Sequence, residues 1–161
     1  MGDGYIIRDL RLAEDKPACL SFIAGLQQYE HTFEPDRRVD TQVAEDYFAA
    51  LMKRVAEQEG RVFVAEVDGA AIGWTVLVIE RNYVYVVEEQ RTYGYIAELF
   101  VREDARGRGI GRALIEGCEG EGRRRGLKLM MIGVLPANAR AAATYARAGY
   151  SPYALELRKY L

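Results

Sequence analysis

Residues 97–115, AELFVREDARGRGIGRALI, decide the fold of this chain: an apolar run ends, charged residues intervene, and glycines then open a segment of helical periodicity. Leu99, Phe100 and Val101 close a strand predicted over 95–101. Ile110, Ala113, Leu114, Gly117 and Cys118 recur on one face of a helix predicted over 110–125, a face broken only by Glu121. Between the two lies Arg106-Gly107-Arg108-Gly109-Ile110-Gly111, where the unpaired N–H groups of a first helical turn converge with the positive end of the helix dipole. Such a point binds anions; glycine lets the backbone approach a phosphate closely, and arginine adds charge without proton ambiguity. A dinucleotide fingerprint would need its glycines directly after the strand, whereas residues 102–106 intervene and Arg112 occupies the place of the last glycine. A P-loop would need Gly-Lys followed by Ser or Thr, which is missing. The bland alternative is a glycine-rich turn with surface arginines.

Working outward, a short strand is predicted over 5–10. A helix follows over 15–29 from the spacing of Ala18, Phe22, Leu26 and Tyr29, and a second, capped by Asp40 or Thr41, shows Val43, Tyr47, Leu51 and Val55 on one face. RVFVAEV and AAIGWTVLVI are β-branched runs joined by Asp68-Gly69, a strong hairpin signal. YVYVV, within 81–94, reads equally as a continuation of the second run or as part of a loop. Downstream, LKLMMIGV over 127–134 reads as a strand buried on both faces, residues 139–148 as a helix ended by Gly149, and 153–161 as a final strand. The order gives one α/β domain over 1–161, a mixed sheet flanked by helices.

Composition narrows the classes of function. Twenty-two basic residues stand against 24 acidic ones, so the chain has no general field for nucleic acid, and the Arg123-Arg124-Arg125 run is explained by its place at a helix end. No apolar run reaches membrane-spanning or signal-peptide length, and the Met1-Gly2 start lacks Ser or Thr at position 6, so the whole chain is expected to be the mature, unlipidated protein. Cys19 and Cys118 have neither disulfide nor zinc spacing, which suits buried thiols in a reducing cytoplasm and predicts no metal.

The quoted stretch resembles the acetyl-CoA-binding segment of the GNAT N-acetyltransferase superfamily, in which an apolar strand is followed by R/Q-x-x-G-x-G/A opening a helix; Arg106, Gly109 and Gly111 fill that pattern. VLPANARAAATYARAGY resembles the family's next motif, with Asn138 before a helix and Tyr145 seven residues on. The resemblance implies a mostly antiparallel sheet with one splayed parallel strand pair, and acetyl-CoA as cosubstrate. The backbone of Leu99, Phe100 and Val101 would meet the pantetheine arm and polarise the thioester. Arg106, Gly107, Arg108, Gly109, Ile110, Gly111 and Arg112 would hold the pyrophosphate, and Asn138 would contact the arm from the opposite side. Tyr145 would protonate the departing thiolate; packing on its own helix is the alternative. The activity implied is N-acetyl transfer to a primary amine of a polyamine-like molecule, an amino sugar or a peptide, by direct attack in a ternary complex.

Glu98, a carboxylate in an apolar strand beside the implied thioester site, is the candidate general base, with substrate-ammonium anchor or salt bridge as its other roles. Some family members carry a catalytic Glu five residues before the Asn, where this chain has Gly133. That departure keeps a second reading open, a catalytically silent acyl-CoA sensor. The acceptor is expected near Tyr29, Glu30 and Phe33, with His31, Glu34 and Asp36 beside them, rings and carboxylates that suit a cationic amine. Tyr83, Tyr85, Tyr93 and Tyr95, with Glu88 and Glu89, would form a further wall; ordinary loop polarity and strand packing are the competing explanation. A single C-terminal strand would leave an edge that is short or is covered by a second subunit, making a homodimer.

Overall fold

The computed structural model describes residues 4–161; Met1 and Gly2 of the lipidation test lie outside them. The chain runs β1 (Ile6–Asp9), α1 (Leu12–His31), α2 (Val43–Glu57), β2 (Arg61–Val67), β3 (Ala70–Arg81), α3 (Glu88–Arg91), β4 (Thr92–Val101), α4 (Ile110–Arg124), β5 (Met130–Ile132) and α5 (Ala139–Arg147), with a 3-10 turn, Glu103–Ala105, between β4 and α4. The sheet order is β1-β2-β3-β4-β5; the first three pairings are antiparallel and β4-β5 is parallel. The mixed sheet expected from the sequence is therefore present, mostly antiparallel and with one parallel pair.

Strand alternation builds two cores. Val62, Val64, Trp74, Val76 and Val78 point to one face and meet Cys19, Phe22 and Ile23 of α1 with Phe48 and Leu51 of α2. Phe63, Ala65, Leu77 and Ile96 point to the other and meet Ile110, Leu114, Ile115 and Cys118 of α4. Asp68 and Gly69 both take positive φ, 48° and 80°, the conformation a two-residue hairpin requires. Glu121, the one charge on the apolar face of α4, is buried beneath Arg61, Arg124 and Arg125, whose guanidinium groups hold its pKa down at about 2.

One open reading is resolved and two expectations are corrected. YVYVV does not prolong β3, which ends at Arg81; Tyr83, Val84 and Tyr85 lie in an exposed connection. The strand predicted over 127–134 shrinks to Met130–Ile132 and is only half-buried, because it finds a partner in β4 at three positions alone. The final strand over 153–161 does not form. Tyr153, Leu155 and Leu157 alternate as a strand would, yet they pair with no described strand, although the outer edge of β5 is open, and all three are exposed.

Candidate active site

The site begins where two parallel strands part. β5 pairs with β4 at Gly94, Tyr95 and Ile96, while β4 runs on to Val101 bonded to β3 on its other side. Past Ile96 one edge of β4 thus lacks a strand, and a cleft of about 600 Å³ opens between it and α5. Glu98, Leu99, Phe100 and Val101 line it from β4, Arg106 and Gly109–Arg112 from the turn into α4, and Asn138 and Tyr145 from α5.

A one-residue irregularity aims Glu98. Val76 pairs with Glu98 but Leu77 pairs with Ile96, so Ala97 is an extra, bulged residue. Without it Glu98 would follow Ile96 toward α4; with it, Glu98 shares the face of Val76 and meets α2. There the Tyr47 hydroxyl donates to Glu98 Oε1 at 2.8 Å, and Oε2 is buried without a partner. Glu98 is 7% exposed. Burial pushes its pKa up to about 7, the Tyr47 hydrogen bond pulls against that, and the charge of Glu30 adds to the rise. A carboxyl poised there exchanges a proton near neutral pH.

The turn into α4 has the geometry an anion cradle needs. Gly107 and Gly109 adopt φ of 77° and 78°, a left-handed conformation that favours glycine, and Gly109 is the N-cap residue with no side-chain cap bond. Arg106 donates from Nε to the Val101 carbonyl at 2.9 Å, and its guanidinium lies over the Phe100 ring. Burial, with neighbouring Arg140, draws the Arg106 pKa below its ordinary value, a direction that a bound anion would reverse. Gly25 admits that ring to α1: a Cβ there would stand 3.0 Å from Phe100. Unpaired strand edge, uncapped helix start and partnerless Oε2 together fit an extended thioester carrying phosphates at one end. Arg108 alone of the glycine-rich stretch lies outside the cleft wall.

Across the gap, Asn138 caps α5, its Oδ1 accepting from the Ala141 N–H at 3.1 Å, so its amide N–H groups are what it presents to a ligand. Tyr145 is half-buried; burial foremost, then the charges of Glu98 and Glu30, push its phenol up to about 12 and keep it a proton donor. At Gly133 a Cβ would sit 2.9 Å from the Tyr95 hydroxyl. Gly133 itself lines the cleft, and among the β4 residues Glu98 is the carboxyl at the open edge.

Of the expected acceptor residues, Tyr29 and Glu30 line the cleft, Glu30 in an ion pair with Arg37 at 2.9 Å. Phe33 packs edge-on against Tyr29, ring centroids 5.0 Å apart, behind the wall. His31 accepts from or donates to nothing in the cleft; its Nδ1 lies 2.8 Å from the Arg37 carbonyl oxygen. Glu34 and Asp36 pair with Arg158 of the C-terminal segment. The second wall does not assemble: Tyr83 and Tyr85 stack on one another in solvent, Glu88 pairs with Arg81 and Arg91, and the Tyr93 hydroxyl bonds Glu80. Sequence reading missed two residues. Tyr47 was seen only as part of an apolar face, and Arg140, whose guanidinium lies over the Tyr29 ring, only as a residue inside a motif. Among the described residues no three His, Cys, Asp or Glu side chains gather as a metal site, and no helix is long and apolar enough to cross a membrane.

This geometry has relatives. A GCN5-related N-acetyltransferase from Ralstonia eutropha superposes with a TM-score of 0.75 at 26% identity, over 98% of this chain and 99% of that one. A Bacillus halodurans protein solved as a tetramutant gives 0.82 at 21% identity over 97% and 99%, a likeness of fold. In sequence, the chain is 34% identical to an uncharacterized N-acetyltransferase of Archaeoglobus fulgidus over 76% of its own length and 74% of that protein's. It is 36% identical to another from Methanocaldococcus jannaschii, over 65% of its own length but only 43% of the relative's. Residues 23–150 match the model of the acetyltransferase (GNAT) family, a span that holds the open β4 edge, the glycine turn, Asn138 and Tyr145. With most of its length matched to that model, the chain belongs to the acetyltransferase (GNAT) family.

Proposed function

We propose that the chain acts as one domain that transfers the acetyl group of acetyl-CoA to a primary amine, by direct attack while both substrates are bound. The observation that carries this reading is the open edge of β4, which runs from the anion cradle at Arg106–Arg112 to a buried carboxyl with one free oxygen. When bound, acetyl-CoA supplies an activated thioester carbonyl. The N–H groups of the α4 turn and Arg106 bind its phosphates, the free backbone of Leu99 to Val101 orients the arm, and Asn138 steadies it from α5.

A lysine-like amine is about 99.9% protonated at pH 7, so attack needs a base. Glu98 Oε2 takes that proton from the ammonium before attack; the C–N bond then forms and the C–S bond breaks, Tyr145 gives its proton to the leaving thiolate, and the second proton shed by the nitrogen restores the phenol. Tyr29 and Glu30 place a ring and a carboxylate at the acceptor end, where a cationic amine would share them with Arg140 and Arg37. The acceptor is a small polyamine-like molecule, an amino sugar or a peptide amine, and a soluble cytoplasmic setting suits all three. Two copies would associate through the C-terminal segment, whose alternating Tyr153, Leu155 and Leu157 are exposed and whose backbone finds no ladder partner.

The test is a pair of measurements: a binding titration with acetyl-CoA, and thiol release with a panel of polyamines, aminoglycosides, amino acids and peptides. Binding with turnover of one acceptor class supports the reading, binding without turnover by any acceptor favours a silent sensor, and no binding removes its basis.

A further inference from the structure

Tyr47 does not line the cleft; it stands behind Glu98, on α2, with its hydroxyl directed at one carboxylate oxygen. A carboxyl with two equivalent free oxygens can rotate and can accept a proton on either. Here Oε1 is occupied by a donor 2.8 Å away, and Oε2 has no partner. Tyr47 is itself held as a donor, because burial first and then the Glu98 charge raise its pKa, so it cannot exchange roles and take the Glu98 proton near neutral pH. Its placement is over-determined: it packs on the same α1/α2 core as Phe48 and Leu51, one helical turn from Leu51.

We infer that Tyr47 is a positioning residue for acetyl transfer, fixing the Glu98 carboxyl through Oε1 so that Oε2 alone faces the acceptor amine. The inference rests on Glu98 being the base. The groups that face Glu98 are Tyr47 from α2, Glu30 from α1, Tyr145 from α5 and Tyr95 from its own strand, with Arg54 beyond Tyr47. Only Tyr47 among them holds it by a hydrogen bond. Removing that donor destabilises the carboxylate relative to the acid, so the Glu98 midpoint moves up.

The experiment follows Glu98 directly by NMR of protein labelled with ¹³C at glutamate Cδ, the resonance assigned by its loss in Glu98→Gln. In parallel, the pH profile of kcat/KM is recorded with acetyl-CoA and with spermidine and n-butylamine as amine probes. In Tyr47→Phe the titration midpoint is expected to rise by about one pH unit, a roughly tenfold fall in acid dissociation constant, and the acidic limb of kcat/KM to rise with it while KM for acetyl-CoA stays put. Tyr47→Gln, which returns an N–H donor, brings both back toward wild type. A purely structural Tyr47 would lower thermal stability and leave midpoint and limb unmoved, and that result overturns the inference. If instead Glu98→Gln keeps the acidic limb, the general-base reading itself fails and takes the role of Tyr47 with it.

Discussion

Glu98 and Tyr145 face one cleft with opposite proton inventories. One is a carboxyl raised to about 7, the other a phenol raised to about 12, so at neutral pH the first is about half ionised and able to accept a proton while the second retains its own. Tyr145→Phe is expected to lower kcat by about a hundredfold with little change in acetyl-CoA affinity; steady-state kinetics beside a binding titration checks it. Glu98 also leaves a signature in stability. Its folded carboxyl keeps a proton to higher pH than the unfolded chain does, so its contribution is fully present below about pH 4.5 and is lost as pH rises through 7. Comparing denaturant unfolding of wild type and Glu98→Gln between pH 4.5 and 7.5 should show the wild type losing on the order of 3 kcal/mol more. The carboxyl's chemistry was legible in the sequence, since a lone Glu in an apolar strand asks for a purpose. Its direction was not, because strict alternation would turn it toward α4 and only the extra residue at Ala97 turns it toward Tyr47.

Elements shape the end of the cleft where the proposed cofactor's phosphates would lie. The anion cradle needs the turn before α4 to enter the left-handed region at Gly109 (φ 78°), where any side chain strains the backbone even though the nearest atom to a Cβ would be 3.8 Å away. Gly109→Ala is expected to cost about 1–2 kcal/mol of stability and to weaken acetyl-CoA binding, as thermal unfolding and calorimetric titration would show. This element was readable because its signal is local: glycines, arginines and helical spacing within nineteen residues. β5 was misjudged for the opposite reason. Its apolar run promises a long buried strand, yet ladder length depends on where β4 and β5 diverge, a property of two segments far apart in sequence. The exposed Tyr83 and Tyr85 show the same limit, since aromatic alternation signals a strand only when a neighbour is there to receive it.

At the scale of the molecule, the C-terminal segment is one of two apolar stretches the fold leaves uncovered, the other being the connection that holds Tyr83, Val84 and Tyr85. Light scattering should find a dimer for the wild type and a monomer for the double variant Leu155→Lys, Leu157→Lys. The two thiols are sealed in the cores, both raised to about 12 by burial, so the folded protein adds no background to a thiol-release assay. That makes the decisive measurement practicable: thiol release from acetyl-CoA with the amine panel, followed from pH 5.5 to 9 for wild type and Glu98→Gln. The account predicts amine-dependent release by the wild type, with an acidic limb near pH 7 that Glu98→Gln removes together with about a hundredfold of the rate. Release that proceeds unchanged in rate and pH profile without the Glu98 carboxyl would contradict it.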